Sequence, residues 1–267
     1  FIDTAISYSA GKSEEYLGME LNNNIAREKV VLATKVYVNV GKLSGEAIPR
    51  EVEGSLKRLG TDYIYLLIIH RFDYDTPVEE TMEALHKVVR SGKVRAIGAS
   101  AMYGYQFMKM QYTAEKNGWT KFVSMQNHYN LLYREDEREL IPVCDDQNVS
   151  RTPYSPLAAG RLSRGTWSAD TLRSRTDVTA KGKYDSTQES DMEIVKRVSE
   201  IAEKKEITMT QAALAWQFAK GVAAPIIGAT KAKYLDDAAG SLQVKLTQDE
   251  ITYLEEAYVP HKIVGAL

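Results

Sequence analysis

Short apolar runs alternate with longer amphipathic segments along most of the chain. Runs rich in branched and aromatic residues are typical of buried strands, whereas segments that repeat apolar residues every three or four positions are typical of helices. The pattern predicts seven strands, which end at Asp3, Lys35, His70, Ser100, Gln126, Thr152 and Gly228. Because short strands alternate with helices, we predict a parallel sheet covered by helices.

Capping signals mark where several helices begin. Capping boxes, in which a threonine is followed three positions later by an acid or an amide, occur at 76–79, 208–211 and 247–250. The predicted helices cover residues 13–24, 49–59, 77–89, 103–117, 135–146, 190–205, 208–220 and 231–240, and a last one begins at Thr247. The stretch 159–189 has little apolar periodicity, so it is predicted to be a long loop on the functional face.

The alternation predicts a (β/α)8 TIM barrel, which closes with eight parallel strands. Seven strands are found and Phe1 lies within the first of them. We therefore expect one strand and its helix to precede residue 1, and residues 1–267 to form a single barrel domain. An open doubly wound sheet is the alternative, but no G-x-G-x-x-G fingerprint follows any strand.

Composition narrows the class of partner. The 34 basic and 36 acidic residues nearly cancel, which disfavours nucleic acid and anionic membranes as partners and favours a small molecule. The single cysteine, Cys144, excludes an internal disulfide framework and fits a reducing compartment, so a cytoplasmic location is expected. No apolar run approaches the roughly 18 residues that a membrane span needs.

Four groups suited to proton transfer lie at or just past three predicted strand ends. They are the carboxylate Asp3, the phenol Tyr8, the amine Lys35 and the imidazole His70. The carboxyl ends of barrel strands converge on one face, so these residues are expected to share a pocket. Taken singly, each has a structural explanation: a loop cap, a packed ring, a solvated lysine or a core histidine. Taken together, they predict a catalytic site.

The chemistry of such a group follows from its charges. A buried ammonium needs a counter-charge, which Asp3 would give to Lys35. An ammonium beside a phenol stabilises the phenolate, so Tyr8 would serve as a proton donor near neutral pH, with His70 bonding the same oxygen.

Two other kinds of site are less well supported. A metal site at Asp3 and His70 lacks a further histidine or cysteine at a strand end, since His86, His128 and His261 are interpreted as structural or exposed. A serine hydrolase would need a G-x-S-x-G elbow, and the sequence has none.

A second set of residues suits an elongated ligand. Ser100 and Gln126 end neighbouring strands and suit an amide, while Tyr154 suits a flat ring. Residues 155–161 offer backbone donors and a cation for phosphates. The turn at 228–231 opens a helix, which is a natural anion site, although an ordinary strand-to-helix turn would look the same.

The motifs together resemble those of an aldo-keto reductase. Across the chain they read FIDTAISYS, VVLATK, SLKRLGTDYIYLLIIH, GKVRAIGAS, SMQNHYNLL, PYSPLAAGRL and IIGATKAKYLDDA. The sequence is most similar to the branch of bacterial sugar-type and fungal aryl-alcohol-type reductases. The resemblance implies a (β/α)8 barrel that binds NADPH without a Rossmann fold and reduces a small carbonyl substrate, as a monomer or weak homo-oligomer.

The resemblance also implies roles for the catalytic residues. Tyr8 would protonate the carbonyl oxygen as the nicotinamide delivers hydride to carbon. Lys35, paired with Asp3, would assist Tyr8, and His70 would orient the carbonyl.

For the cofactor, the resemblance implies three groups of residues. Ser100 and Gln126 would hold the carboxamide, and Tyr154 would stack on the nicotinamide. The residues implied for the pyrophosphate are Ser155, Leu157, Gly160 and Arg161, and those implied for the adenosine end are Gly228, Thr230, Lys231, Tyr234 and Asp237.

Three positions depart from the family pattern. Ser9 stands where many relatives have glycine, Ala159 where relatives often have arginine, and Ala238 where asparagine is common. The alternative function is an NADPH-binding regulatory protein, like the channel β-subunits that share this fold. A complete set of Asp3, Tyr8, Lys35 and His70 favours the enzyme.

Overall fold

The computed structural model describes residues 1–167 and 176–265. By internal contacts the chain divides into two compact units, residues 1–126 with 139–150 and residues 127–138 with 151–265. The single domain predicted over the whole chain stays a prediction.

The first unit alternates strands and helices, as the apolar pattern predicts. Its elements are β1 (Ile2–Asp3), α1 (Lys12–Asn24), β2 (Leu32–Val36), α2 (Ala47–Leu59), β3 (Ile64–Ile69), α3 (Val78–Arg90), β4 (Val94–Ser100), α4 (Gly104–Lys116), β5 (Ser124–Gln126) and α5 (Leu140–Asp146). A short strand, β6 (Ser150–Arg151), follows α5.

Six strands form one sheet in the order β1-β2-β3-β4-β5-β6, and each pair from β1 to β5 is parallel. The register pairs Asp3 with Ala33, Lys35 with Ile68 and Ser100 with Gln126. The predicted parallel α/β architecture is therefore confirmed, whereas closure of an eight-stranded barrel stays a prediction.

The core of the first unit lies between the sheet and helices α2 to α4. It packs one face of the strands, Ile97 among them, against apolar positions on the helices, which include Val52, Leu56, Met82 and Phe107. Burial of these side chains fixes which face of each strand is turned toward the helices. The alternate positions near the carboxyl ends are thereby free to carry polar groups.

The second unit is mainly helical in the residues described. Its helices are α6 (Val178–Tyr184), α7 (Gln188–Lys204), α8 (Met209–Ala219), α9 (Ala232–Gly240) and α10 (Gln248–Glu255). The capping boxes predicted at Thr208 and Thr247 are both present, since each hydroxyl accepts from the backbone N–H three residues on. Among the described residues no helix is long and apolar enough to cross a membrane.

The predicted strand at 223–227 is wrong. In its place the structure has an isolated parallel bridge between Tyr154 and Ile226, with the Ile226 N–H donating to the Pro153 carbonyl at 2.9 Å. Pro225 has no N–H to donate, so a regular ladder cannot continue through it.

The long loop predicted over 159–189 is wrong in its last part, where α6 and the start of α7 are helical. The Asp177 side chain caps α6 by accepting from the Ala180 N–H at 2.8 Å, and Ala180 and Tyr184 are both buried. Two buried residues one turn apart are enough for this short helix, but too few to give a clear period. Residues 168–175 of this stretch lie outside the described residues.

The capping box predicted at Thr76 is also wrong. Pro77 occupies the position before the helix, and the Thr76 hydroxyl donates instead to Asp73 at 2.7 Å.

Candidate active site

Three strand ends of the first unit deliver the predicted catalytic groups. Asp3 is the last residue of β1, Lys35 lies one residue before the end of β2, and His70 follows β3 directly, with its N–H donating to the Val36 carbonyl at 2.9 Å. Because the strands are parallel and in register, their side chains leave the same edge of the sheet.

Lys35 is the centre of the group. It is 0% exposed, and its Nζ donates to the Asp3 carboxylate, to the Thr4 carbonyl at 2.9 Å and to the Tyr8 hydroxyl at 3.2 Å. An ammonium has three donors, and here all three have acceptors. The buried charge of Lys35 is matched by the buried carboxylate of Asp3.

Tyr8 bonds to this buried pair and is itself partly exposed to solvent. Its side chain is 40% exposed, and the Lys35 Nζ lies 4.9 Å from the ring centroid. The His70 ring meets it edge to face, with 5.9 Å between centroids. The site therefore has a solvent-accessible phenol whose oxygen bonds to the fully buried ammonium of Lys35.

His70 is held in its neutral form. Burial, together with the positive charges of Lys35 and Arg71, lowers the pKa of His70 to about 4. Near neutral pH the imidazole therefore carries one N–H donor and one free lone pair, so it can form a hydrogen bond without adding charge.

The turn that carries Tyr8 is strained. Ser9 and Ala10 have φ of +49° and +53°, and Gly11 follows with φ of +88°. The left-handed region costs a residue with a side chain roughly 1 kcal/mol. Ser9, which departs from the family pattern, is thus a position where glycine would fit better, and strain of this kind clusters at functional sites.

Ser100 and Gln126 are brought to the same group. The Gln126 Nε2 donates to the second Asp3 carboxylate oxygen at 2.9 Å. The Ser100 hydroxyl donates to the backbone carbonyl of Gln126 at 2.7 Å. The Asp3 carboxylate is therefore held from both sides, by Lys35 and by Gln126. No local sequence signal indicates the link between Asp3 and Gln126, because the two residues are far apart in the chain.

In the second unit Tyr154 belongs to a stack of rings. His128 lies between Tyr133 and Tyr154, with ring centroids 4.2 Å and 5.1 Å away. His128 is buried, its Nε2 bonds to the Tyr184 hydroxyl at 2.7 Å, and its pKa is well below the usual range because of burial and the charge of Lys183. It is a neutral core residue, as the sequence interpretation held.

The segment after Tyr154 has an unusual backbone and an engaged cation. Ser155, Ala158, Ala159 and Gly160 all have positive φ. Arg161 donates to Asp185 at 2.5 Å, and its Cζ lies 5.1 Å and 5.0 Å from the ring centroids of Trp167 and Tyr184. Its Nε is a buried donor with no acceptor among the described residues.

The turn that opens α9 is largely solvent-facing. Gly228, Thr230, Lys231 and Tyr234 are exposed. Asp237 instead accepts from the Thr208 hydroxyl at 2.8 Å, so its carboxylate already has a protein partner.

Within residues 1–167 and 176–265 no group of three or more histidine, cysteine, aspartate or glutamate side chains is placed to hold an ion.

Comparison with known proteins decides the family. The sequence profile of the Aldo/keto reductase family matches residues 1–259. The chain belongs to the aldo/keto reductase family. It is 46% identical to the versiconal hemiacetal acetate reductase of Aspergillus parasiticus, over 98% of this chain and 83% of that protein. It is 42% identical to a putative aryl-alcohol dehydrogenase of Schizosaccharomyces pombe (99% and 83% covered) and to one of Saccharomyces cerevisiae (97% and 82%).

The family that the motifs resemble is therefore confirmed. The family and its reductase-named members support an oxidoreductase that acts on carbonyl compounds. For this aldo/keto reductase the structure adds the Asp3–Gln126 contact and the strained turn after Tyr8. Neither follows from the sequence pattern, since one joins β1 to β5, which are not neighbours in the sheet, and the other depends on backbone geometry.

Proposed function

We propose that this protein reduces aldehydes and ketones to alcohols with NADPH, and that Tyr8 is the proton donor. The observation that carries the proposal is the contact of the buried Lys35 Nζ with the Tyr8 hydroxyl at 3.2 Å. NADPH, when bound, supplies the hydride that the carbonyl carbon accepts.

The residues of the first unit account for the proton. Tyr8 donates its hydroxyl proton to the carbonyl oxygen, and the phenolate that results is stabilised by the Lys35 ammonium. Asp3 pairs with that ammonium and holds it in place, since an unpaired buried charge would be costly. His70, neutral near pH 7, orients the carbonyl oxygen through its N–H donor. One hydride and one proton together convert the carbonyl to an alcohol.

Several groups of the second unit are suited to an anionic nucleotide. Arg161 keeps a buried N–H without an acceptor among the described residues, and Lys231 and Thr230 are exposed at the start of α9. A cation with a free donor and an open helix start both favour phosphate groups. These features support NADPH as the cofactor.

The test is the rate of NADPH absorbance loss with a reactive aryl aldehyde, measured for the native protein, Tyr8→Phe and Tyr16→Phe. Tyr16 is the matched control because it lies on α1 with its ring 63% exposed. We expect Tyr8→Phe to lower kcat by about 100-fold or more, as loss of a general acid does, while Tyr16→Phe keeps the native rate. The Kd for NADPH, measured by fluorescence, should change less than about two-fold in both variants.

Two results would contradict the proposal. Turnover retained in Tyr8→Phe would remove Tyr8 as the acid. NADPH binding without turnover of any carbonyl by the native protein would favour the regulatory alternative.

A further inference from the structure

The first turn of α1 bonds to the immediate neighbours of two catalytic residues. The Ser13 hydroxyl lies 2.8 Å from the Thr4 hydroxyl, and Thr34 donates its hydroxyl to Glu14 at 2.5 Å. Thr4 follows Asp3 in the chain. Two adjacent helix residues therefore hold the ends of β1 and β2 where the catalytic side chains emerge.

The hydrogen bond between Thr34 and Glu14 restrains Lys35, which follows Thr34 on the same strand. Successive side chains of a strand point to opposite faces, so Thr34 points away from the face that Lys35 occupies. A hydrogen bond that fixes Thr34 against α1 consequently fixes the backbone from which Lys35 projects. The Thr4 carbonyl also accepts from Lys35 at 2.9 Å, which ties the same helix turn to the ammonium from the other side.

Glu14 is a charged group that the proposed reaction does not use. Its side chain is 0% exposed, and its second carboxylate oxygen accepts from the Arg58 Nε at 2.7 Å. Arg58 belongs to α2, so the carboxylate joins α1, β2 and α2. Burial of such a carboxylate is tolerated only because both of its oxygens are bonded and its charge is paired.

Arg58 also lies against the turn that carries Tyr8. The side chain passes beneath Gly11, where an added Cβ would lie 3.1 Å from the Arg58 Cδ. Gly11 is the last residue of the turn Tyr8–Gly11 and has a left-handed backbone. Arg58, bonded to Glu14, therefore packs against the last residue of the strained turn.

We propose that Glu14 is a positioning residue for the proton-transfer group, fixing Lys35 through Thr34 and Tyr8 through Arg58 and Gly11. The inference rests on the proposed function, in which Tyr8 donates the proton. Glu14 does not touch the reacting atoms. Its effect is on the distance and direction between the Lys35 Nζ and the Tyr8 hydroxyl, and small errors in such geometry slow a reaction strongly.

The test compares Glu14→Gln and Thr34→Val with Glu51→Gln. Glu51 is a matched control, since it is 8% exposed on α2 and accepts hydrogen bonds from Asn39 and Arg50. All variants are assayed well below the temperature at which each unfolds. We expect Glu14→Gln and Thr34→Val to lower kcat about ten-fold or more, with KM and the NADPH Kd within about two-fold of native. Glu51→Gln should keep the native kcat even if it unfolds at a lower temperature.

A second measurement needs no turnover. The protein is labelled with ¹³C at the ζ carbon of tyrosine, and the Tyr8 resonance is assigned from its absence in Tyr8→Phe. We expect a single sharp Tyr8 resonance in the native protein and in Glu51→Gln, and a shifted, broadened one in Glu14→Gln and Thr34→Val. If Glu14→Gln does not fold, Thr34→Val decides the matter, because valine keeps the shape of threonine.

Native kcat together with an unchanged Tyr8 resonance in the folded variants would overturn the inference. Failure of the proposed function would look different. The native protein would then show no turnover, or Tyr8→Phe would keep it, whatever the behaviour of the Glu14 variant.

Discussion

Lys35 in the first unit and Arg161 in the second are both largely enclosed cations, and they differ in what surrounds them. All three donors of Lys35 are used, and two of its acceptors, Asp3 and Tyr8, are themselves candidates for the reaction. Arg161 is bonded to Asp185 outside the predicted set, and its Nε has no acceptor among the described residues.

The contrast separates two tasks. The ammonium that stabilises the Tyr8 phenolate must be aligned before the substrate arrives, so its hydrogen bonds are complete in the protein alone. A group that binds an anion gains its bond only with the ligand, so an unused donor in the free protein is what binding requires. Substitutions at Lys35, Arg161 and Ser9 test this division.

The largest effect is expected from Lys35→Met. It removes the cation beside Tyr8 and leaves Asp3 buried without its ion-pair partner. We expect kcat to fall by about 100-fold or more. Because one partner of a buried ion pair is lost, the free energy of unfolding should fall by about 3–5 kcal/mol. Turnover and urea denaturation measure the two effects.

The control for Lys35→Met is Lys87→Met, which breaks a surface pair with Glu83 on α3. It should change the free energy of unfolding by less than about 1 kcal/mol and leave kcat unchanged. Equal effects of the two substitutions on kcat and on the free energy of unfolding would contradict a role for the buried Lys35 contacts.

A smaller effect is expected from Arg161→Gln, which removes the donor in the second unit. The Kd for NADPH should rise about ten-fold, as for loss of a charge-assisted hydrogen bond, while kcat at saturating NADPH stays within about two-fold of native. Fluorescence titration measures the Kd, with the exposed Lys196→Gln on α7 as control. An unchanged Kd would mean that Arg161 bonds to Asp185 and does not bind NADPH.

The smallest effect is expected from Ser9→Gly. Ser9 has φ of +49°, so glycine relieves strain in the turn after Tyr8, partly offset by greater freedom of the unfolded chain. We expect the free energy of unfolding to rise by about 0.5 kcal/mol, with kcat unchanged. In the helical control Ser199→Gly it should fall by about 0.5–1 kcal/mol. A similar loss in both variants would argue against strain at Ser9.

Much of the fold follows from the sequence, because apolar periodicity and helix caps depend only on residues that are close together in the chain. The first five strands end within one residue of their predicted ends, and the caps at Thr208 and Thr247 form as predicted. The errors at 223–227 and 178–184 have different causes: Pro225 cannot donate to a strand ladder in the first, and only two buried residues give too weak a period in the second.

The site was only partly predictable. Asp3, Lys35 and His70 lie at strand ends, where barrels place functional groups, and the structure brings them to Tyr8. Glu14 was missed because it reads as an ordinary acid in the first turn of a helix. Only the packing of α1 on β2 and α2 shows that it is buried and paired. Roles that depend on contacts between distant elements leave no local pattern.

The measurement that bears most directly on this account is NADPH consumption with an aryl aldehyde by the native protein, Tyr8→Phe and Tyr16→Phe side by side. The account predicts turnover by the native protein and Tyr16→Phe, and loss by about 100-fold or more in Tyr8→Phe with NADPH binding retained. Equal turnover by all three proteins would contradict it.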